Sequence, residues 1–323
     1  MTQKLQLENL VNSFSENISL FIGMASFEKR CLSILQNVES KVDYCLFFKN
    51  VSAGNLADKA LKEMKALVKN RNTTVELDHD SPVSTADAMV KIIEENKARI
   101  YGGKVLIDIT TFTHEQLLIL LRVLKIVTPD ASLILGYNGA EKYSVNDDEH
   151  VWLSRGVDQI RTVIGYPGNF VPSKKLHLIL LVGFEHERAT AVINQLEPIR
   201  LSLLRGDKLQ SVSTEHFELN QKFFEQLRNF VDITLQTQTA VDSSYVSCID
   251  PFSVRDSILE IVSNSKDYNI VVCPMNTKLS TVGVAMAALE NNSIQLAYSK
   301  AIEYNEIGYS TPSQIARLFE YKT

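Results

Sequence analysis

Four short stretches of this chain hold side chains that could handle a phosphorylated ligand. Two are turns that follow apolar runs: Gly23 leads into Phe27-Glu28-Lys29-Arg30, and Gly183 leads into Phe184-Glu185-His186-Glu187-Arg188. In each, the glycine would let backbone approach a ligand closely or adopt positive φ. The ring of Phe27 or Phe184 could stack on a base, and the guanidinium of Arg30 or Arg188 could grip phosphate with a bidentate fork. The same residues allow a purely structural reading, because Glu28 and Glu185 can pair with their neighbouring arginines and the rings can pack. The other two stretches carry hydroxyls. Asp108-Ile109-Thr110-Thr111-Phe112-Thr113 places a carboxylate and the hydroxyls of Thr110, Thr111 and Thr113 before a helix-like run. They can hold phosphate or ribose, or cap the helix. Asn276-Thr277-Lys278 adds a cation at the corresponding place, against the preference of the helix dipole. Tyr137 and Tyr298 close later apolar runs, where a tyrosine can stack a base or simply pack.

Other chemistries lack their residues. No G-x-G-x-x-G, Walker loop or G-x-S-x-G elbow occurs, which disfavours the usual nicotinamide, flavin, P-loop and serine-hydrolase sites. His114-Glu115 has no third ligand at helical spacing, and His177, His186 and His216 show no metal pattern, so neither a metal nor a cofactor is expected. Asp78-His79-Asp80 could bind a cation but reads better as a polar turn before Pro82. Asp147-Asp148-Glu149-His150 reads as a solvated acidic run.

The elements that must position these residues repeat. Ile18–Ile22 and Leu178–Val182 are apolar strands ending at Gly23 and Gly183. Later in each half come a helix (Thr85–Asn96; Ser253–Asn264), a strand (Val105–Ile109; Ile270–Cys273), a polar loop, an apolar helix, and a strand ending at Tyr137 or Tyr298. Middle strands fall at Tyr44–Phe48 and Thr73–Leu77, then near Leu201–Leu204 and Ile233–Gln236. Both copies close on a second tyrosine and a serine, Tyr143-Ser144 and Tyr309-Ser310, with Tyr304 nearby. Several matches in one order point to internal duplication. Apolar strands alternating with helices point to α/β architecture with mainly parallel sheets, as two tandem Rossmann-like units. The expected layout is residues 1–150 as the first unit, 151–175 as a connector with a short helix near Val157–Ile164, and 176–323 as the second unit. Pro312–Phe319 reads as a final helix capped by Ser310 or Thr311. In open parallel sheets ligands bind beyond the carboxyl ends of the strands, which selects the loops after Gly23, Asp108, Gly183 and Cys273.

Composition narrows the partners. The 323 residues are 45% apolar with a formal net charge of −5. That balance argues against sequence-independent binding of long duplex DNA. No apolar run reaches the roughly 18–20 residues of a membrane span, and the N-terminal stretch has no apolar signal core, so a cytoplasmic location is expected. Four scattered cysteines read as reduced, buried thiols.

At the loops after the first and fourth strands, the sequence resembles the CRISPR-associated Rossmann-fold sensors, the CARF domains, and their duplicated relatives, the SAVED domains. Asp108-Ile109-Thr110-Thr111 and Asn276-Thr277-Lys278 resemble the family's second ligand loop, with Thr111-Phe112 and Met275-Asn276 where a glycine pair usually precedes Thr-Lys. The resemblance implies a cyclic or linear oligonucleotide second messenger bound across the seam of two Rossmann units, in prokaryotic antiviral defence. With both units occupying the chain, it also implies either an effector on a separate polypeptide or a cleft that has become catalytic. The residues alone leave three readings open: a nucleotide sensor, an enzyme (hydrolase or transferase) acting on a nucleotide or phosphorylated small molecule, and a structural subunit of a larger complex. A homodimer would fit the frequency of symmetric pairs among soluble proteins.

Overall fold

Phe21, Ile22, Leu46, Phe47, Leu106 and Ile107 in the first half, and Ile179, Leu180, Leu203 and Val272 in the second, are fully buried. Adjacent strand residues point to opposite faces, so these strands must be covered on both sides. Burying each such side chain contributes about 1.5–3 kcal/mol. The computed structural model describes residues 2–69, 71–143, 152–235 and 239–323. Ser144, the acidic run Asp147–His150 and Gln236 lie outside the described residues.

The chain divides into two compact units, Met1–Val145 with Glu306–Thr323, and Asn146–Asn305. The first contains β1 (Gln3–Gln6), β2 (Ile18–Ala25), α1 (Arg30–Gln36), β3 (Cys45–Asn50), α2 (Asn55–Val68), β4 (Asn72–Leu77), α3 (Pro82–Glu95), α4 (Lys97–Gly102), β5 (Lys104–Asp108), α5 (His114–Val127) and β6 (Ser132–Tyr143). The second contains β7 (Ser154–Pro167), β8 (Lys175–Leu181), α6 (His186–Leu196), β9 (Arg200–Gly206), α7 (Thr214–Thr234), β10 (Ala240–Val246), α8 (Pro251–Ser263), β11 (Tyr268–Pro274), α9 (Lys278–Glu290) and β12 (Ile294–Tyr304). The last strand, β13 (Ser310–Lys322), belongs to the first unit.

Each unit is Rossmann-like. The first sheet runs β1-β13-β6-β5-β2-β3-β4 and the second β10-β9-β8-β11-β12-β7. Within each, five parallel strands take the spatial order third, second, first, fourth, fifth, and an antiparallel strand flanks the fifth. The order reverses between β2 and β5, and between β8 and β11. Those two switch points are where open α/β sheets hold ligands.

Helix starts follow local chemistry. The Ser81, Thr113, Ser213, Asp250 and Thr277 side chains each accept a backbone N–H of the first turn of α3, α5, α7, α8 and α9, a contact that contributes about 1 kcal/mol. Asp78 accepts the amide of Asp80 at 2.9 Å, making the polar turn expected there.

Three local expectations are corrected. Val157–Ile164 is not a helix but the middle of β7, antiparallel to β12. Pro312–Phe319 is not a helix but part of β13, antiparallel to β6, with register shifts on both sides of Pro312; a proline inside a sheet is confined to such bulges or to edges. Ile233 lies in the last turn of α7, and the third strand of that unit is β10, whose residues Ala240–Tyr245 are largely exposed.

Candidate ligand-binding site

In the first unit the loop after β5 ties three strand ends together. The Thr110 amide donates to Asp108 Oδ1 at 3.0 Å. The Thr110 hydroxyl accepts the Asn138 amide at 3.0 Å, and the Thr111 hydroxyl donates to the Met24 carbonyl at 2.7 Å. Thr113 caps α5, and Phe112 packs edge-on against Phe48 with ring centres 5.9 Å apart. Burial pushes the Asp108 carboxyl up to about 7, against the lowering effect of Thr110 and Arg30. In this conformation the expected ligand hydroxyls hold the loop in place.

Arg30, the first residue of α1, is 5% exposed. Its Nε and Nη2 both donate to Glu28 Oε2, at 2.8 and 2.5 Å. Nε also reaches Ser310 Oγ at 3.0 Å, and Nη1 reaches the Asn138 carbonyl at 3.0 Å. Ser310 in turn donates to Glu28 at 2.8 Å. The arginine therefore latches α1 to the middle of β6 and the start of β13. Burial works against its charge, but Glu28 and the nearby Tyr137 and Tyr143 hold its pKa above the ordinary value. Tyr137 and Tyr143 are both buried and hydrogen-bonded to each other.

The second unit repeats the latch with its own residues. Arg188 donates to Glu185 and to the Ser299 carbonyl, and Ser154 Oγ donates to Glu185. The guanidinium carbon lies 5.6 Å from the Tyr298 ring centre. Tyr298 is hydrogen-bonded to Tyr304. Burial again opposes the charge, and Glu185, Tyr304 and Tyr298 raise the arginine's pKa above its ordinary value. Thus Glu28, Arg30, Tyr137, Tyr143 and Ser310 answer to Glu185, Arg188, Tyr298, Tyr304 and Ser154. The correspondence corrects the pairing of Tyr143 with Tyr309: the structural counterpart is Tyr304, six residues beyond Tyr298 as Tyr143 is beyond Tyr137. Ser310 matches Ser154, which sequence reading missed because it precedes its unit's first parallel strand. One difference stands out: Arg30 Nε is shared by two acceptors, whereas Arg188 Nε is buried with no hydrogen-bond partner among the described residues.

The loop after β11 is also knitted internally. Asn276 Nδ2 donates to the Val182 carbonyl at 2.8 Å and its Oδ1 accepts the Thr277 amide at 2.7 Å. Thr277 donates to the Cys248 carbonyl at 2.7 Å and caps α9. Lys278 opens α9 and is half-buried. No acidic residue accompanies it in the first turn, whereas the first turn of α5 carries buried Glu115.

The glycines have structural reasons. A Cβ on Gly183 would lie 1.7 Å from the Met275 carbonyl oxygen, so the chain after β8 needs glycine to pass the loop after β11. Gly23 lies inside β2 rather than after it, and a Cβ there would meet the Phe21 ring at 2.8 Å. Neither has positive φ. Phe27 packs edge-on against Tyr309 at 5.5 Å, and Phe184 packs edge-on against His216 at 4.9 Å and tilted against Phe223 at 6.1 Å.

Among the described residues no group of three His, Cys, Asp or Glu side chains is placed to hold a metal. All four cysteines are free and buried, and burial pushes each thiol up to about 12, so they are poor nucleophiles near neutral pH. No helix of the described residues is long and apolar enough to cross a membrane.

No family model matches the chain, and no curated protein matches it in sequence. Among solved structures the fold is similar to that of a Type III CRISPR defence DNA nuclease activated by cyclic oligoadenylate. The TM-score is 0.56 and the identity 10%, over 86% of this chain and 65% of that one. This chain thus spans under two thirds of the nuclease's length, and at that identity the likeness is one of fold. The pyocyanin biosynthetic protein PhzM aligns over 45% of this chain and 38% of its own, with a TM-score of 0.25 and 14% identity.

Proposed function

We propose that the chain is a nucleotide sensor of antiviral defence that binds an oligonucleotide second messenger of the cyclic oligoadenylate class at its strand-end loops. The observation that carries this reading is the repeated switch-point architecture. Two sheets share one strand order and one Glu-Arg-Tyr-Tyr-Ser set, in a fold similar to that of a nuclease activated by such a messenger. We read the two halves as products of a duplication and the effector as a separate polypeptide. Arg30 and Arg188 hold the frame, each neutralised by its glutamate. The anion seat in this reading is the start of α9, where Asn276 and Thr277 shape the loop and Lys278 supplies charge. Backbone N–H groups at a helix start favour phosphate, and no first-turn carboxylate opposes it there.

The test is thermal denaturation of the full chain with cyclic and linear oligoadenylates, mononucleotides and buffer alone. A ligand at about 100 times its dissociation constant adds roughly 2.7 kcal/mol. At about 2–4 °C per kcal/mol, that raises the melting temperature by roughly 5–10 °C. The reading expects this rise with a cyclic oligoadenylate and its loss in Lys278→Ala. No shift with any oligonucleotide overturns it.

A further inference from the structure

We propose that a cleft of about 480 Å³ in the first unit is a second, separate site, for a nucleoside monophosphate. It opens between α1, α2, the 3-10 turn Leu7–Ser13 and the bulged part of β13. Its volume lies within the roughly 300–1,000 Å³ of small-molecule sites.

The lining carries the three chemistries such a ligand needs. Phe27 and Leu32 offer an aromatic and aliphatic surface for a base, and the Phe27 ring is held by an edge-on contact with Tyr309. Lys29, the residue just before α1, and Lys59 from α2 bring two ammonium groups for one phosphate. Glu8 and Glu63 bring carboxylates, which accept hydrogen bonds from ribose hydroxyls as acidic residues do in dinucleotide sites. None of these four charged side chains makes an ion pair or hydrogen bond with the described residues, although nearby Glu28 and Arg30 are paired. Exposed charges of both signs that could neutralise one another instead line one cavity with an apolar wall. A purely anionic or purely apolar ligand would leave half of them unused.

The cleft is also joined to the Arg30 latch. Along one turn, Phe27 and Lys29 line the cleft while Glu28 and Arg30 form the latch. On β13, Pro312 lines the cleft and Ser310 completes the latch. A nucleotide in the cleft would therefore brace both segments that the latch joins, and so stabilise the attachment of β13.

The test is isothermal titration of the full chain with adenosine monophosphate, guanosine monophosphate, adenosine and inorganic phosphate. The proposal expects a nucleoside monophosphate to bind. The double substitution Lys29→Ala with Lys59→Ala should weaken it at least tenfold, and so should Glu8→Gln with Glu63→Gln; all four side chains are exposed, so the variants should fold. Phe27→Leu, which keeps apolar volume if Phe27→Ala proves unstable, should weaken the base-containing ligands and not phosphate. Lys278→Ala should leave this binding unchanged, which separates it from the strand-end site. The proposal is overturned if no monophosphate binds at millimolar concentration, if inorganic phosphate binds as tightly, or if only Lys278→Ala abolishes binding.

Discussion

Replacing Glu28 by alanine removes the counter-charge of an arginine that cannot reach water. Arg30 is 5% exposed and the Glu28 side chain 9%. Two of the guanidinium's hydrogen bonds end on one carboxylate oxygen, and Ser310 donates to the same oxygen. In Glu28→Ala the remaining acceptors are the Ser310 hydroxyl and the Asn138 carbonyl, neither charged. Breaking a buried pair while leaving one charge behind costs about 3–5 kcal/mol. An exposed pair contributes about 0–1 kcal/mol, so the two cases are well separated. At about 2–4 °C per kcal/mol, the melting temperature should fall by roughly 10 °C. Circular dichroism against temperature measures it, and a double-mutant cycle assigns it: Arg30→Met in the Glu28→Ala background should restore part of the loss, because the stranded charge is gone. A Glu28→Ala cost below about 1 kcal/mol, or no recovery in the double variant, would refute the idea of a buried latch.

Gly183→Ala should be among the most damaging single methyl additions, because the obstacle is the Met275 backbone rather than a movable side chain; purified variant and wild type compared by urea unfolding should differ by several kcal/mol, while Gly23→Ala, which meets the Phe21 ring, should cost less. His177 bridges Ser202 and Ser265, and burial, with Arg200, lowers its pKa from 6.5 to about 4. Its contribution should therefore be complete above pH 6.5 and be lost as pH falls toward 4, a slope that His177→Gln should flatten in urea titrations. Asp108 works in the opposite sense: its folded carboxyl keeps a proton up to about 7 while the unfolded one loses it near 3.8, so stability should decline as pH rises between those values. Asp108→Asn should remove that decline and raise stability at pH 8.

The legible parts of the fold were those with strong local signals. Ile18–Ile22 and Leu178–Val182 are largely apolar runs of five residues, a length that suits a buried strand and falls short of a typical helix. Thr113 and Thr277 are recognisable caps, so α5 and α9 start where the sequence places them. The misread parts depend on distant partners. In Val157–Ile164 the residues Val157, Ile160 and Ile164 recur at helical spacing, yet their β-branched character suits an exposed edge strand against β12, over 130 residues away. Pro312 looked like a helix start, but Ser310–Lys322 finds its partner in β6, more than 160 residues earlier. β10 escaped notice because Ala240–Tyr245 has almost no buried face. At the site, residue types identified the loops but not their bonding. Nothing local reveals that Ser154 and Ser310 serve two glutamates, or that both arginines are ion-paired to those glutamates.

The proposed sensor holds a cyclic oligonucleotide at the carboxyl-end loops, with its anion seat at the start of α9. Amide hydrogen exchange of the full chain, with and without saturating cyclic oligoadenylate, follows that seat residue by residue. Exchange at Met275–Ser280 should slow in the wild-type chain and show no such protection in Lys278→Ala. Unchanged exchange across that segment in a chain that binds the ligand would rule the seat out.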